Sequence, residues 1–254
     1  MSNNDLQQVI RDFKAYLEQE QRKGLKAVPR TVNRPKIIAK FKAKAATVGL
    51  GKSAALDQLH QEYAGCQNCP LGRTRNKFVF GEGSADARLM FIGEGPGFDE
   101  DQTGRPFIGK AGQLLTKAIE TTIDLQREEV YIGNIVKCHP MKNPDQPTLR
   151  GNDRPPAAEE MNACLPIITR QIEIIKPEII CLLGRTAAQA ILRSNAGIHE
   201  LRDKFHILNF SGHEVKCIAT VHPASCLYDP ANKKYVWEDF KKIRALLKKT
   251  STQI

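Results

Sequence analysis

The segment from Leu89 to Leu115 constrains the fold more than any other part of the chain. It opens with an apolar run, Leu89 to Ile92, of the length and composition of a buried strand. The run gives way to Gly93, Gly95, Pro96 and Gly97, a loop whose backbone can approach a ligand closely because little side chain intervenes. Three carboxylates follow at Asp99, Glu100 and Asp101, then Gly104-Arg-Pro-Phe107 and a helix-compatible stretch from Lys110 to Thr122. Strand, glycine loop, acids, aromatic, helix: an open α/β sheet builds a pocket this way at the carboxyl ends of its strands. An ordinary tight turn is the plain alternative for any lone glycine-rich connection. No Gly-Lys-Ser/Thr follows at P-loop spacing, and the dinucleotide GxGxxG pattern is lacking. Glu94, Glu100 and Phe107 point instead to a site that grips a planar ring and positions a water.

The remainder of the chain supplies such a sheet. Strands are expected over Val130–Ile135 and Glu178–Leu183, with a hairpin over 203–219 turning at Ser211-Gly212 and a strand that ends in His222-Pro223. Helices are expected over 53–63, from Ala157 to Ile175, from Gly184 through Leu192, and over 233–249, the last with Val236, Phe240, Ile243 and Leu246–Leu247 facing inward. Strands alternating with helices make this an α/β chain. Residues 142–157, with Pro144, Pro147, Pro155 and Pro156, read as an inserted surface loop. Before the sheet, residues 5–22 place Leu6, Val9, Ile10, Phe13 and Leu17 on one helical face, and 24–52 read as a linker. The expected organisation is a basic N-terminal helical extension, 1–52, ahead of a folded domain, 53–254.

The 254 residues carry a net charge of +10, which points to a polyanionic partner, nucleic acid first and an anionic membrane second. Residues 1–60 hold twelve Lys/Arg against five Asp/Glu, a surplus of seven, and Arg22 to Lys52 contains no acid. Tether and nucleic-acid arm are equally good readings of that stretch, and they are compatible. No apolar run approaches the ~20 residues that span a bilayer, and Met1-Ser-Asn-Asn-Asp lacks a signal pattern. A cytoplasmic location, in the cell interior, is the expectation.

Seven cysteines in such a chain argue for metal or cluster ligation by some of them. Cys66 and Cys69 form a CxxC; Cys138 follows a strand and Cys164 lies near a helix start. Four thiols in that order, without matching histidines, suit a four-cysteine cluster or zinc, although the second pair lacks the CxxC of a zinc ribbon. Cys181 and Cys217 fall inside apolar strands, where buried free cysteine is common. Asn134 ends a strand; its common fate is an Asx turn, its functional one to read a base edge with a donor and an acceptor side by side. A lone strand-end histidine is more often structural, but His222 is expected at the same sheet edge as Glu94 and Asn134.

Four separated motifs together resemble the iron–sulfur, or family-four, uracil-DNA glycosylases. They are Cys66-x-x-Cys69; Gly93-Glu-Gly-Pro-Gly97 with Gly104-Arg-Pro-Phe-Ile-Gly-Lys-Ala-Gly112; Asn134-Ile-Val-Lys-Cys138-His-Pro; and His222-Pro-Ala-Ser225. The resemblance implies a three-layer α/β/α fold with a central, mostly parallel sheet. It implies a [4Fe–4S] cluster on Cys66, Cys69, Cys138 and Cys164. It implies a monomeric, monofunctional DNA-repair enzyme that hydrolyses the N-glycosidic bond of deoxyuridine in single- or double-stranded DNA. Phe107 would stack on the base and Asn134 would hydrogen-bond its edge, while His222 would donate to O2 and backbone around Glu94 and Gly95 would complete the pocket. Glu100 would orient the water. Pro96, Gly97 and Ser225 would contact DNA, and Leu227 or Cys226 would fill the vacated stack. Gly95 stands where the best-known uracil glycosylases carry aspartate, and the interval from Cys138 to Cys164 is long. The competing reading is a non-catalytic nucleic-acid-binding module with a zinc or iron–sulfur site.

Overall fold

A computed structural model of the chain describes residues 51–251. The expected amphipathic helix over 5–22, and all but the last two residues of the linker, lie outside the described residues. By compactness the chain divides between Gln58 and Leu59, inside the first described helix, α1 (Lys52–Tyr63). The other helices among the described residues are α2 (Leu71–Thr74), α3 (Phe98–Thr103), α4 (Lys110–Ala118), α5 (Ala158–Ile175), α6 (Arg185–Leu192), α7 (Ile198–Leu201), α8 (Ser225–Tyr228) and α9 (Lys233–Ser251).

The second unit is organised on six strands: β1 (Glu82–Gly83), β2 (Leu89–Gly93), β3 (Tyr131–Asn134), β4 (Ile179–Leu183), β5 (Phe205–Phe210) and β6 (His213–Thr220). Their order across the sheet is β1-β3-β2-β4-β6-β5. The inner four run parallel, and β1 and β5 pair antiparallel at the two edges, so the sheet is mostly parallel as expected. Every residue of β2 and β4 is buried, which is the condition of a strand covered on both faces. Alternation sends Phe91, Ile132, Cys181 and Ile218 to one face, against Leu115 of α4 and Val236, Phe240 and Ile243 of α9. Phe91 and Phe240 meet there with ring centroids 5.5 Å apart. On the other face, Gly133 abuts Ile168 of α5 and Tyr131 accepts a hydrogen bond from Gln171. Helix, sheet, helix: the layers number three.

Helix α4 runs on into a wider π turn, Ile119–Ile123, that stops at Asp124 in a left-handed conformation. The β5–β6 hairpin turns where expected, with Ser211 at φ 50° and Gly212 at φ 88°, the two positive angles that suit a twisted two-residue turn. Helix α3 was not expected, because its acids read as loop. It forms around Asp101, whose buried carboxylate accepts hydrogen bonds from the Asn76 backbone and amide. The 142–157 segment is a loop folded on a buried amide: Asn152 accepts from Asn143 N–H and donates to the carbonyls of Asn143 and Gln146. No helix among the described residues is long and apolar enough to cross a membrane.

Candidate active site

Four parallel strands deliver their carboxyl ends to one edge. In register, Gly93 ends β2 beside Asn134, which ends β3; β4 runs into Gly184, and β6 leads to His222 two residues past Thr220. Gly93 is the floor of the site. A Cβ there would lie 2.5 Å from both the Asn134 amide oxygen and the Phe107 ring tip, so only glycine allows the two to close on this point. The Asn134 side chain is 1% exposed, and its Oδ1 has no hydrogen-bond partner among the described residues. An orphaned buried acceptor costs ~1–3 kcal/mol unless a water or a ligand donor completes it.

Phe107 forms the wall beside that oxygen. Its backbone sits at φ 51°, the left-handed region that a bulky aromatic rarely occupies. Its ring centroid is 5.7 Å from that of His222, at an interplanar angle of 33°. Gly184, at φ 90°, leaves room for the imidazole, since a Cβ there would come within 2.9 Å of His222 Cβ. The Ala224 N–H donates to His222 Nδ1 at 3.2 Å, which places the proton of the neutral ring on Nε2. Desolvation lowers the His222 pKa to about 4, so the ring is a neutral donor at ordinary pH. Nε2 has no protein partner among the described residues.

The acids of the loop have diverged in role. Asp101 pins the 76–77 backbone, and Asp99 pairs with Arg150 at 2.9 Å. Glu100 is half-buried with both oxygens engaged: Oε2 accepts from Gly97 N–H at 3.2 Å, and Oε1 accepts from Ile108 and Gly109 N–H at 3.0 and 3.1 Å. The expectation that Glu100 orients water meets a carboxylate already committed to backbone. Glu94 is half-buried, and its side chain has no partner among the described residues. At Gly95 a Cβ would lie 2.6 Å from Val136 Cγ2, so any side chain here requires Val136 to shift. Pro96 is buried and Gly97 half-buried, the latter caught between Glu100 and Asp153.

Past His222 the chain turns into α8, closed by Ser225, whose Oγ donates to the His222 carbonyl at 2.7 Å. Leu227 is 45% and Tyr228 is 90% exposed. The expectation that Cys226 might share the stack-filling role is corrected: it is 1% exposed and belongs to the hydrophobic core, so it cannot enter DNA.

The four cysteines of the proposed ligand set meet at one place. Cys164 lies close enough to Cys66 and Cys69 to interact electrostatically, and Cys138 does so with Cys69 and Cys164. Burial pushes the Cys138 thiol up to about 12 and raises Cys164 as well. Donors nevertheless face the sulfurs: Arg75 Nη1 lies 3.2 Å from Cys138 Sγ, and the Lys137 backbone N–H bonds Cys164. Among the described residues no group of three or more His, Cys, Asp or Glu side chains is disposed to hold a single metal ion. A soft all-thiol set drawn from two loops and a helix is the donor chemistry that an iron–sulfur cluster or a structural zinc takes.

The profile described as "Uracil DNA glycosylase superfamily" matches residues 80–244. The chain belongs to the uracil DNA glycosylase superfamily. Among its relatives, the type-4 uracil-DNA glycosylase of Saccharolobus solfataricus is 41% identical over 196 residues, covering 76% of this chain and 86% of the relative. That of Archaeoglobus fulgidus is 39% identical over 196 residues, covering 76% of this chain and 93% of the relative. That of Thermotoga maritima is 38% identical over 192 residues, covering 72% and 90%. The structure brings Asn134 and Phe107 together over Gly93, with the His222 ring next to that of Phe107. Sequence reasoning missed Gly184, which carries no motif of its own, and the strained backbone of Phe107, whose only signal is the surrounding run of glycines.

Proposed function

We propose that this chain is a monofunctional uracil-DNA glycosylase of base excision repair, hydrolysing the N-glycosidic bond of deoxyuridine to leave an abasic site. The observation that carries this reading is the orphaned Asn134 Oδ1, buried against Gly93 and Phe107. Uracil presents a donor, N3–H, to such an acceptor; cytosine presents a lone pair there and is rejected because both groups stay unsatisfied. A non-catalytic binding module has no use for an acceptor kept unpaired beside a neutral histidine.

The base must leave the stack to reach the pocket, at a cost of a few kcal/mol. Phe107 stacks on the extruded ring, which contributes ~1–3 kcal/mol. His222 donates Nε2–H to O2 as negative charge develops on the departing uracil, and backbone N–H groups around Glu94 and Gly95 complete the site. A neutral donor suits this task, because a fixed dipole stabilises the anion without protonating it early. A loop carboxylate orients the water: Glu100, which three backbone N–H groups hold in place, or Glu94, whose side chain has no hydrogen-bond partner among the described residues. Gly97 and Ser225, both half-buried, contact the DNA strand, whereas Pro96, expected there too, is buried and only backs that loop; the exposed Leu227 fills the gap left by the base.

Cys66, Cys69, Cys138 and Cys164 hold a [4Fe–4S] cluster. When bound, the cluster cross-links the Cys66–Cys69 turn, the loop after β3 and α5. Arg75 fastens the first of these to the second: it donates to the carbonyls of Ala64 and Cys66 and to Cys138 Sγ. Uracil-containing DNA is the partner, the working unit is a monomer, and residues 1–52 are a basic extension ahead of the 53–254 catalytic domain, a tether or an arm whose charge suits a phosphate backbone.

The test is direct. Purified protein is incubated with uracil-containing and matched thymine-containing oligonucleotides and abasic sites are counted; cleavage confined to uracil supports the reading, and none with either substrate defeats it. Brown colour with stoichiometric iron supports the cluster, whereas colourless zinc-loaded protein contradicts it.

A further inference from the structure

We propose that Glu100 is a positioning residue: its carboxylate is the clasp that joins the glycine loop to the loop bearing Phe107, and so sets the gap into which the base slides. This inference rests on the uracil-pocket reading above and deepens it.

Phe107 is held in a conformation that an aromatic residue leaves when it can. A bulky side chain at φ 51° is strained and persists only where its surroundings over-determine it. Two sets of contacts do so. From one side α4 presses on its carbonyl, so closely that a Cβ on Gly112 would lie 1.8 Å from Phe107 O. From the other, the two peptide N–H groups that follow Phe107, those of Ile108 and Gly109, both donate to Glu100 Oε1 at 3.0 and 3.1 Å. The remaining oxygen accepts from Gly97 N–H at 3.2 Å. One carboxylate therefore ties both walls of the pocket, and three N–H donors orient it without any help from substrate. With all three bonds intact, Phe107 stays against Gly93 and the Asn134 amide oxygen. Without them, the Pro106–Phe107 peptide is still held by Arg127, which donates to the Pro106 carbonyl, but the segment after Phe107 is released and the ring can move off the base.

Inhibition by free uracil isolates the pocket from the chemistry. The experiment measures the uracil inhibition constant and the single-turnover rate on a uracil-containing strand, using the full chain as purified. It compares wild type, Glu100→Gln, Phe107→Ala and the double variant. The clasp predicts that Glu100→Gln weakens uracil inhibition about 10-fold in the wild-type background and less than about 2-fold once Phe107 is Ala, because coupled residues are not additive. Gly109→Pro gives a second line should Glu100→Gln fail to fold. Gly109 sits at φ −67°, which proline matches, and the proline ring replaces the donated hydrogen with a CH2 that pushes Glu100 Oε1 away, so the substitution opens the clasp from the Phe107 side; it too should weaken uracil inhibition. A Glu100→Gln variant that loses single-turnover rate at an unchanged uracil constant, or that loses the same factor in both backgrounds, overturns the proposal. So does a Gly109→Pro variant that binds uracil like wild type. If wild type neither releases uracil nor is inhibited by it, the functional reading itself has failed and the clasp falls with it.

Discussion

Asn134 and Lys137 lie three residues apart, both fully buried, at the end of the same strand, and they meet opposite fates. On the α5 side, Lys137 Nζ donates to Gln171 Oε1 at 2.7 Å, and Gln171 Nε2 donates to Tyr131 Oη and the Phe80 carbonyl at 2.8 and 3.0 Å. Gln171 thus uses its amide oxygen and both N–H donors. On the α4–α9 side, Asn134 Oδ1 is left without a donor beside a strained aromatic and a neutral imidazole. Burial is equal, so burial does not mark the functional residue. What separates the two is pairing: Lys137 Nζ meets a protein acceptor and so ties α5 to the sheet, whereas Asn134 Oδ1 meets no donor and is open to a ligand.

The comparison breaks most visibly at the open network. Asn134→Ala is expected to lower kcat/KM for uracil by about 10³-fold with little change in melting temperature, since it removes an acceptor that the apo protein leaves unpaired. A variant that loses stability but keeps activity would place Asn134 with Lys137. His222→Ala should cost about 10²–10³-fold in uracil release while DNA affinity is kept, as measured by single-turnover kinetics alongside a binding titration; equal loss of both counts against its donor role. At the closed network the signs reverse. Gln171→Leu removes the acceptor of the buried Lys137 Nζ, whose pKa burial lowers to about 7, and should destabilise by ~1–3 kcal/mol, read by denaturant unfolding, while the preference for uracil over cytosine is unchanged.

pH sharpens the same contrast. In the unfolded chain the His222 ring titrates near its ordinary 6.5, and in the folded protein near 4. Above 6.5 neither state binds the proton and stability is unaffected. As the pH falls from 6.5 towards 4, the unfolded chain takes up a proton that the folded one refuses, so stability declines. His222→Gln should remove that part of the decline, and an unchanged stability–pH curve would show that the ring is not held neutral. The smallest effect is expected farthest from the pocket. Deleting residues 1–52 removes a run of positive charge and should flatten the salt dependence of DNA binding; an unaltered slope would make the extension a tether.

Much of this was legible in the chain before folding. Continuous apolar runs at 89–92 and 179–183 mark strands covered on both faces, and Ser211-Gly212 marks the hairpin turn, because these signals are local. Asn134 and His222 were found because each ends an apolar run at a loop, and parallel strands bring such ends together. The role of Glu100 was not legible, since a carboxylate reads alike whether it faces water or three peptide N–H groups. Only the left-handed turn at Phe107, a tertiary outcome, tells them apart. Cys226 was misjudged for a related reason: a four-residue helix turns one neighbour into the core and the next into solvent, and no sequence period is long enough to reveal which.

The central claim is that an unpaired acceptor on Asn134 reads the N3–H of uracil, and free bases test it most directly. Inhibition by uracil and by 3-methyluracil, which lacks that hydrogen, is measured on wild type and Asn134→Ala. The account predicts that wild type binds uracil at least about 10-fold more tightly than the methylated base, and that Asn134→Ala binds both equally weakly. Equal inhibition of the wild-type enzyme by the two bases would contradict it.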